Sequence, residues 1–433
     1  MSTQAASGRG LGEGLYYGVM TAFYLAPRLL YSLHVDGAQR FRHRPSTLIV
    51  TNHKRDLDSV ILPPTLLFNG VRPKRPLWFA GRDDMFVRGF LSTYDVVPAW
   101  LRRLLYEIDL RTVLDALRIF PVRRFPERTM AEALREVVAV FGDRPVSEVL
   151  RPEEADPWMM RRGPQVRLSE VLAWRFHTQW RRPATLRAFV PRWRESLRTL
   201  QRQVVGRQIV ALAGLLNRGE TLYLAPEGSI SPDGRLQAFR SALRQILGLA
   251  EPPVRLQPVC IVYDFMRPGR MRIFITVGEE MTAEASPAAS EQAVRRALAA
   301  LHTMTTSQVV SQVLWDLVRA GRDTVDLARF TTQVSALAAA LRHEGMRVDG
   351  DLFSHGEDRV DGWVRFAARH GLLARVGPEL RMDVDRLTSR PATYWENPVR
   401  YCVNELQSIR ATLNPPPSPS PWPAPAIPPP VKR

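Results

Sequence analysis

Cysteine is almost missing from this chain of 433 residues, which has only Cys260 and Cys402. That scarcity argues against a disulfide framework and fits a reducing compartment. Lysine is nearly as rare, occurring at Lys54, Lys74 and Lys432, and arginine supplies the rest of 60 basic residues. Against 43 acidic residues the formal charge is +17, with a pI near 10.7. Such a charge attracts anionic lipid, phosphorylated small molecules, acidic carrier proteins or nucleic acid. A GC-rich genome produces the same arginine bias, so charge alone selects no partner.

Long apolar runs are missing as well. No stretch reaches the ~20 residues that a membrane-crossing helix needs. The nearest, GLYYGVMTAFYLAPRLLYSL, is cut by Pro27 and Arg28. Its tyrosines suit a headgroup boundary better than a hydrocarbon centre. It fits an amphipathic helix in a membrane surface, or equally a helix packed on the protein's own core. The start lacks a basic region followed by a small-residue cleavage site, which argues against a signal peptide.

What is present is an alternation of strand and helix signals. STLIVTNH, PLWFAGRDDMF, RIFPVRR, ETLYLAPEGS, VRLQPVCIVYD and RMRIFITVGEEM read as strands. Helical periodicity separates them, as in RTMAEALREVVAVF and FRSALRQILGLA. The expected fold is α/β, a mixed sheet flanked by helices, with a helical insertion and a helical C-terminal module. Residues 1–40 form the interfacial apolar region and 41–286 the α/β domain. Within it, an Arg- and Trp-rich insertion spans about 142–206. Residues 287–411 read as almost wholly helical, and the proline-rich 412–433 cannot build a core.

Three places carry residues suited to chemistry. In TNHKRDLDSV, His53 and Asp58 stand five apart just after a strand. A tight turn there brings the carboxylate onto the imidazole, fixing its tautomer and supporting general-base chemistry toward an alcohol. The same spacing also arises when an Asp caps the next helix beside a structural histidine. In YLAPEGSISPDGRLQAFRSAL, Pro226, Glu227 and Gly228 end a strand where ligands of α/β proteins gather. Turn chemistry accounts for that segment except for the carboxylate of Glu227. RIFPVRR closes on Arg123 and Arg124, a pair suited to bidentate phosphate binding or to plain solvation.

Taken in order, NHxxxxD after a strand, a strand ending in arginine, Pro-Glu-Gly after a strand, and LQPVCI resemble the glycerolipid acyltransferase family. Lysophosphatidic acid and glycerol-3-phosphate acyltransferases belong to it. The resemblance covers roughly residues 15 to 280. It implies a catalytic pair at His53 and Asp58, with Asn52 beside them. It implies acceptor binding by Arg124 (or Arg123, if the register slips by one) together with Glu227, Gly228 and Ser229. Pro258 and Val259 take the place of a mainly structural motif near the acyl site.

The chain departs from the family at Ala225, where phenylalanine is common, and at Ile230, where an arginine often follows Pro-Glu-Gly. Arg235 or Arg240 is positioned in sequence to replace that charge. Pro63 and Pro64 lead us to expect a late start for the helix after the histidine.

The implied reaction moves an acyl group from acyl-CoA or acyl carrier protein to a glycerophosphate or lysophospholipid hydroxyl, with no metal or cofactor. Backbone amides near the histidine turn would hold the oxyanion. An anionic membrane surface is the expected setting, on the cytoplasmic side of the inner membrane, peripheral or monotopic. A thioester hydrolase and a non-catalytic membrane scaffold are the competing readings. The insertion's Trp and Arg residues suit a membrane, an acidic carrier, a core cover or single-stranded nucleic acid. No nucleic-acid motif accompanies them, and no nucleic acid is expected.

Overall fold

A computed structural model describes residues 3–70, 75–93, 98–123, 129–173, 184–251, 253–390 and 393–415. Uninterrupted aliphatic runs such as TLIVT and RIFITV need cover on both faces, which is the situation of a strand inside a mostly parallel sheet. These runs become β1 (Ser32–Asp36), β2 (Thr47–Thr51), β3 (Trp78–Arg82), β4 (Ile119–Val122), β5 (Leu222–Leu224), β6 (Arg255–Asp264) and β7 (Arg272–Val277). Their order is β1-β7-β6-β2-β5-β3-β4, with β8 (Met281–Thr282) added beside β6. Pairings are parallel except β6–β7 and β6–β8, which are antiparallel.

Alternation along β2 sends Ile49 to one face and Leu48 and Val50 to the other. On the first face, α1 (Thr3–Leu30) and α2 (Asp58–Leu67) bury Tyr16, Met20, Ile61, Leu62 and Leu66 against Ile49, Ile261 and Ile275. On the second face, α3 (Pro191–Asn217), α4 (Ala242–Leu249) and α5 (Pro287–Leu301) bring Leu212, Leu216, Leu243, Ile246 and Leu298 onto Leu48, Val50 and Leu256. The protein is therefore mixed α/β, a mostly parallel sheet between helices. A further core is built by α6 (Thr306–Arg319), α7 (Leu327–His343), α8 (Gly356–Arg369) and α9 (Pro398–Leu413).

Several expectations change. The N-terminal region contributes β1, an edge strand whose only ladder partner among the described residues is β7. Its helix, for which the sequence leaves both a membrane surface and the protein's own core open, packs on that core through Tyr16, whose hydroxyl accepts from Leu77 N at 2.9 Å. Leu25, Leu29 and Leu30 on the same helix are exposed.

Pro63 and Pro64 do not delay α2. The helix starts at Asp58 and contains both prolines. Its start is set upstream, where Asp58 N donates to Arg55 O at 3.1 Å. Ser59, whose carbonyl loses its helical donor to Pro63, faces water.

The C-terminal region also holds a three-stranded antiparallel sheet, ordered Thr324–Asp326, Glu379–Met382, Leu373–Val376. The insertion has its own apolar centre, which begins at Met130 and runs to Leu197, and both Trp158 and Trp193 are buried in it. Trp174 and Trp180 lie outside the described residues.

Candidate active site

The catalytic candidates sit where β2 stops pairing. The last β2–β6 partners are Thr51 and Val259, and Asn52 continues the ladder with its side chain. Its Nδ2 donates to Ile261 O at 2.8 Å, and its Oδ1 accepts from Ile261 N at 2.9 Å. A side-chain amide imitating a peptide unit lets the main chain leave the sheet while the last strand groups stay satisfied.

The released chain turns tightly at His53. Asp58 Oδ2 lies 3.0 Å from His53 Nδ1 and accepts from Lys54 N at 2.6 Å and Arg55 N at 3.0 Å. Its other oxygen accepts from the Tyr263 hydroxyl at 2.6 Å. Burial first, and then the charge of Asp58, raise the Tyr263 pKa well above its usual value, so this phenol donates as a neutral group. A carboxylate so saturated with donors is a fixed acceptor. The proton of His53 is therefore assigned to Nδ1, which leaves the lone pair on Nε2. The imidazole is nearly buried and Asp58 fully so.

Glu227 ties the second loop to the first. Its Oε1 accepts from His53 N and its Oε2 from Gln237 N, both at 2.8 Å. Burial pushes its carboxyl pKa up, while Lys54 and these two amides oppose the shift. Ser231 N returns a bond to His53 O at 3.1 Å. Gly228 has φ +72, and a Cβ there would stand 2.7 Å from the Arg240 side chain, so the turn requires glycine. Arg240 Nε donates to Glu227 O at 3.2 Å. Ser229 and Ile230 are half-buried in the short run to Ser231.

The amides of His53, Lys54 and Arg55 are all committed to carboxylates. The histidine turn therefore does not offer these three to an oxyanion. Its open donors are the amides of Asp56 and Leu57, which have no acceptor among the described residues.

Arg123, at the end of β4, is engaged as well. It donates through Nε to Asp83 at 3.1 Å and through Nη1 to Glu136, and only 13% of its side chain is exposed. Arg124 lies outside the described residues. Pro258 and Val259 sit in β6 beside β2, and Gly278 N donates to Pro258 O at 2.9 Å.

Further partners of this site come from the C-terminal helix α9, where no motif pointed. Lys54 Nζ, 2% exposed, pairs with Glu405 Oε1 at 2.9 Å and donates to Gly234 O at 2.7 Å. Burial is the largest single influence on the Lys54 pKa and lowers it, but Glu405, Tyr401 and Glu227 together outweigh it and the net shift is upward. Glu405 moves downward for the matching reason, burial being outweighed by Lys54, His302 and Gln308 together. Both therefore stay ionised.

Around them, Asn404 Nδ2 donates to Asp233 O at 3.1 Å, and Ser408 Oγ accepts from Leu236 N at 3.0 Å. Gly234 faces Tyr401 so closely that a Cβ would lie 2.3 Å from its carbonyl oxygen. The guanidinium of Arg55 stacks over Tyr263, Phe265 and Tyr394 at 4.9, 5.0 and 4.4 Å. The scarcity of lysine beside a candidate histidine was the one sequence signal for this clamp.

No family model and no curated protein matches the chain. Among solved structures it is similar to the 1-acyl-sn-glycerophosphate (LPA) acyltransferase PlsC from Thermotoga maritima, at 14% identity and a TM-score of 0.30. That likeness covers 69% of this chain and 83% of the other.

Proposed function

We propose that the protein is an O-acyltransferase that moves a fatty acyl group from a thioester to a hydroxyl of a glycerophosphate or lysophospholipid. The observation that carries this reading is the His53–Asp58 contact of 3.0 Å, in which the carboxylate is locked by three further donors. Nε2 of His53 takes the proton of the acceptor hydroxyl as its oxygen attacks the thioester carbon. The tetrahedral oxyanion is met by the open amides of Asp56 and Leu57 at the N-terminus of α2. On collapse the C–S bond breaks, and the imidazolium returns its proton to the leaving thiolate. Asp58 balances the imidazolium throughout.

Association with an anionic membrane surface from the cytoplasmic side, as a peripheral or monotopic protein, belongs to the same proposal. Outward-facing Leu25, Leu29 and Leu30 on α1 support it, as does Trp100, which is 71% exposed beside Arg102 and Arg103. No helix among the described residues is long and apolar enough to cross a membrane.

The test is an acyl-transfer assay with purified protein, labelled acyl-CoA or acyl carrier protein, and a panel of glycerophosphate and lysophospholipid acceptors. His53→Ala should lower turnover about 100-fold or more with the fold intact. Near-normal transfer by that variant refutes the assignment. Free fatty acid in place of ester product would point to hydrolysis on the same pair.

A further inference from the structure

The arginine expected after Pro-Glu-Gly is absent at Ile230, and the loop that follows carries a different arrangement of charge. Between α5 and α9, against Arg235 and Leu236, lies an open cavity of about 620 Å³. Its wall bears Arg235, Arg295, Arg296, Gln292, Gln407 and Ser408, and no carboxylate is among the described residues lining it. Arg235 has only a loose, exposed pair with Asp233 at 3.4 Å. Arg295 reaches Leu236 O at 3.4 Å, and Arg296 has no partner among the described residues.

Further along α9, Arg400 stacks on Trp315 at 4.0 Å. Burial, followed by repulsion from Arg235, Arg390 and Arg319, lowers its pKa. Elsewhere arginines beside the same helices are paired, as in Arg244 of α4 with Glu291 of α5 at 2.6 and 2.8 Å and Arg410 of α9 with Glu344 at 2.7 Å. A concave wall of guanidinium, amide and hydroxyl groups without a carboxylate is a receptor for a multiply charged anion. Its volume is of the size that takes a small organic molecule.

We propose that this cavity binds a phosphate ester and supplies the positive charge that Ile230 does not. Naming the ester's source rests on the acyltransferase reading. It is either the nucleotide end of a coenzyme A donor or the phosphate of the acceptor. The wall belongs to the catalytic loops, because Leu236 is bonded to Ser408, Gln237 to Glu227, and Ser231 to the carbonyl of His53. An anion held by Arg235 therefore bears on the loop that braces His53.

The experiment is calorimetric titration of the full chain with 3′,5′-ADP, glycerol 3-phosphate and inorganic phosphate, in wild type and in R295Q/R296Q. At least one of the two esters should bind the wild type. The double variant should bind it about 10-fold or more weakly, with an unchanged melting temperature and with affinity falling as salt rises. R235Q serves as an independent second variant. Preference for 3′,5′-ADP assigns the site to the donor, and preference for glycerol 3-phosphate assigns it to the acceptor.

Equal affinity in wild type and both variants, or no binding of either ester at millimolar concentration, overturns the proposal. Ester binding that depends on these arginines, in a protein that transfers no acyl group, would sink the functional reading and leave the cavity standing. Normal transfer with unchanged ester affinity in the variants does the reverse.

Discussion

The histidine turn and the arginine cavity lie on either side of one loop, yet they treat charge in opposite ways. At the turn three buried charges are answered: Asp58 by four donors, Lys54 by Glu405, and Glu227 by two amides. In the cavity the cations are wet and largely unanswered. Removing an ion from water costs several kcal/mol, so a buried charge persists only where the fold supplies its partner. The turn is thus a finished structure that holds one lone pair in place. The cavity is unfinished, and its partner is to be found in solution.

Breaking the buried side of this contrast should give the largest effect. Glu405→Gln leaves the Lys54 charge without its partner and should destabilise the fold by about 3–5 kcal/mol in denaturant unfolding. Replacing both groups together, as in K54M/E405L, should recover most of that loss. A double variant no better than the single one would show that the pair does not act as a unit.

The second prediction uses His302, buried near the same pair, whose pKa burial depresses from 6.5 to about 4. Gln308 Oε1 is occupied by Thr305 N at 2.9 Å, so its amide nitrogen faces His302 Nε2, also at 2.9 Å. A proton at Nε2 would meet a donor. Between pH 6.5 and about 4 the unfolded chain takes up this proton and the folded chain refuses it. Stability is therefore fully present above pH 6.5 and is lost as pH falls toward 4, by roughly 3 kcal/mol in total. Glu227, with its raised pKa, works in the opposite sense, so wild type must be compared with His302→Gln. If the two unfold with the same acid profile, the assignment fails.

The smallest effect should come from sharpening the catalytic side. Tyr263→Phe removes one charge-assisted bond to Asp58 and nothing else polar. It should cost about 1.5–3 kcal/mol, read as turnover lowered roughly 10- to 100-fold with the acceptor KM little changed. An unaltered turnover would mean that the amides of Lys54 and Arg55 alone hold the carboxylate.

The legible parts of the molecule were those decided by neighbours in sequence. β2, β6 and β7 declare themselves through β-branched runs, and the His53–Asp58 contact needs only one turn of chain. The edge strand β1 was missed because SLHVD has neither a continuous apolar run nor clean alternation. It becomes a strand by pairing with β7, a partner distant in sequence. The prolines of α2 misled because a rule about helix interiors was applied where the turn at Arg55–Asp58 had already fixed the start. Lys54 and Glu405 were unreadable as a pair, since each alone looks like a solvated charge. Tertiary structure decides which charges go inside.

The ion pair from α9 has a consequence in time. The residue that neutralises the lysine next to the candidate base lies far downstream of it in the chain, on α9. A growing polypeptide can assemble the sheet, and even the histidine turn, well before that helix leaves the ribosome. Until it arrives, a cation and a loop remain exposed to solvent. The site should therefore mature only after α9 has been made.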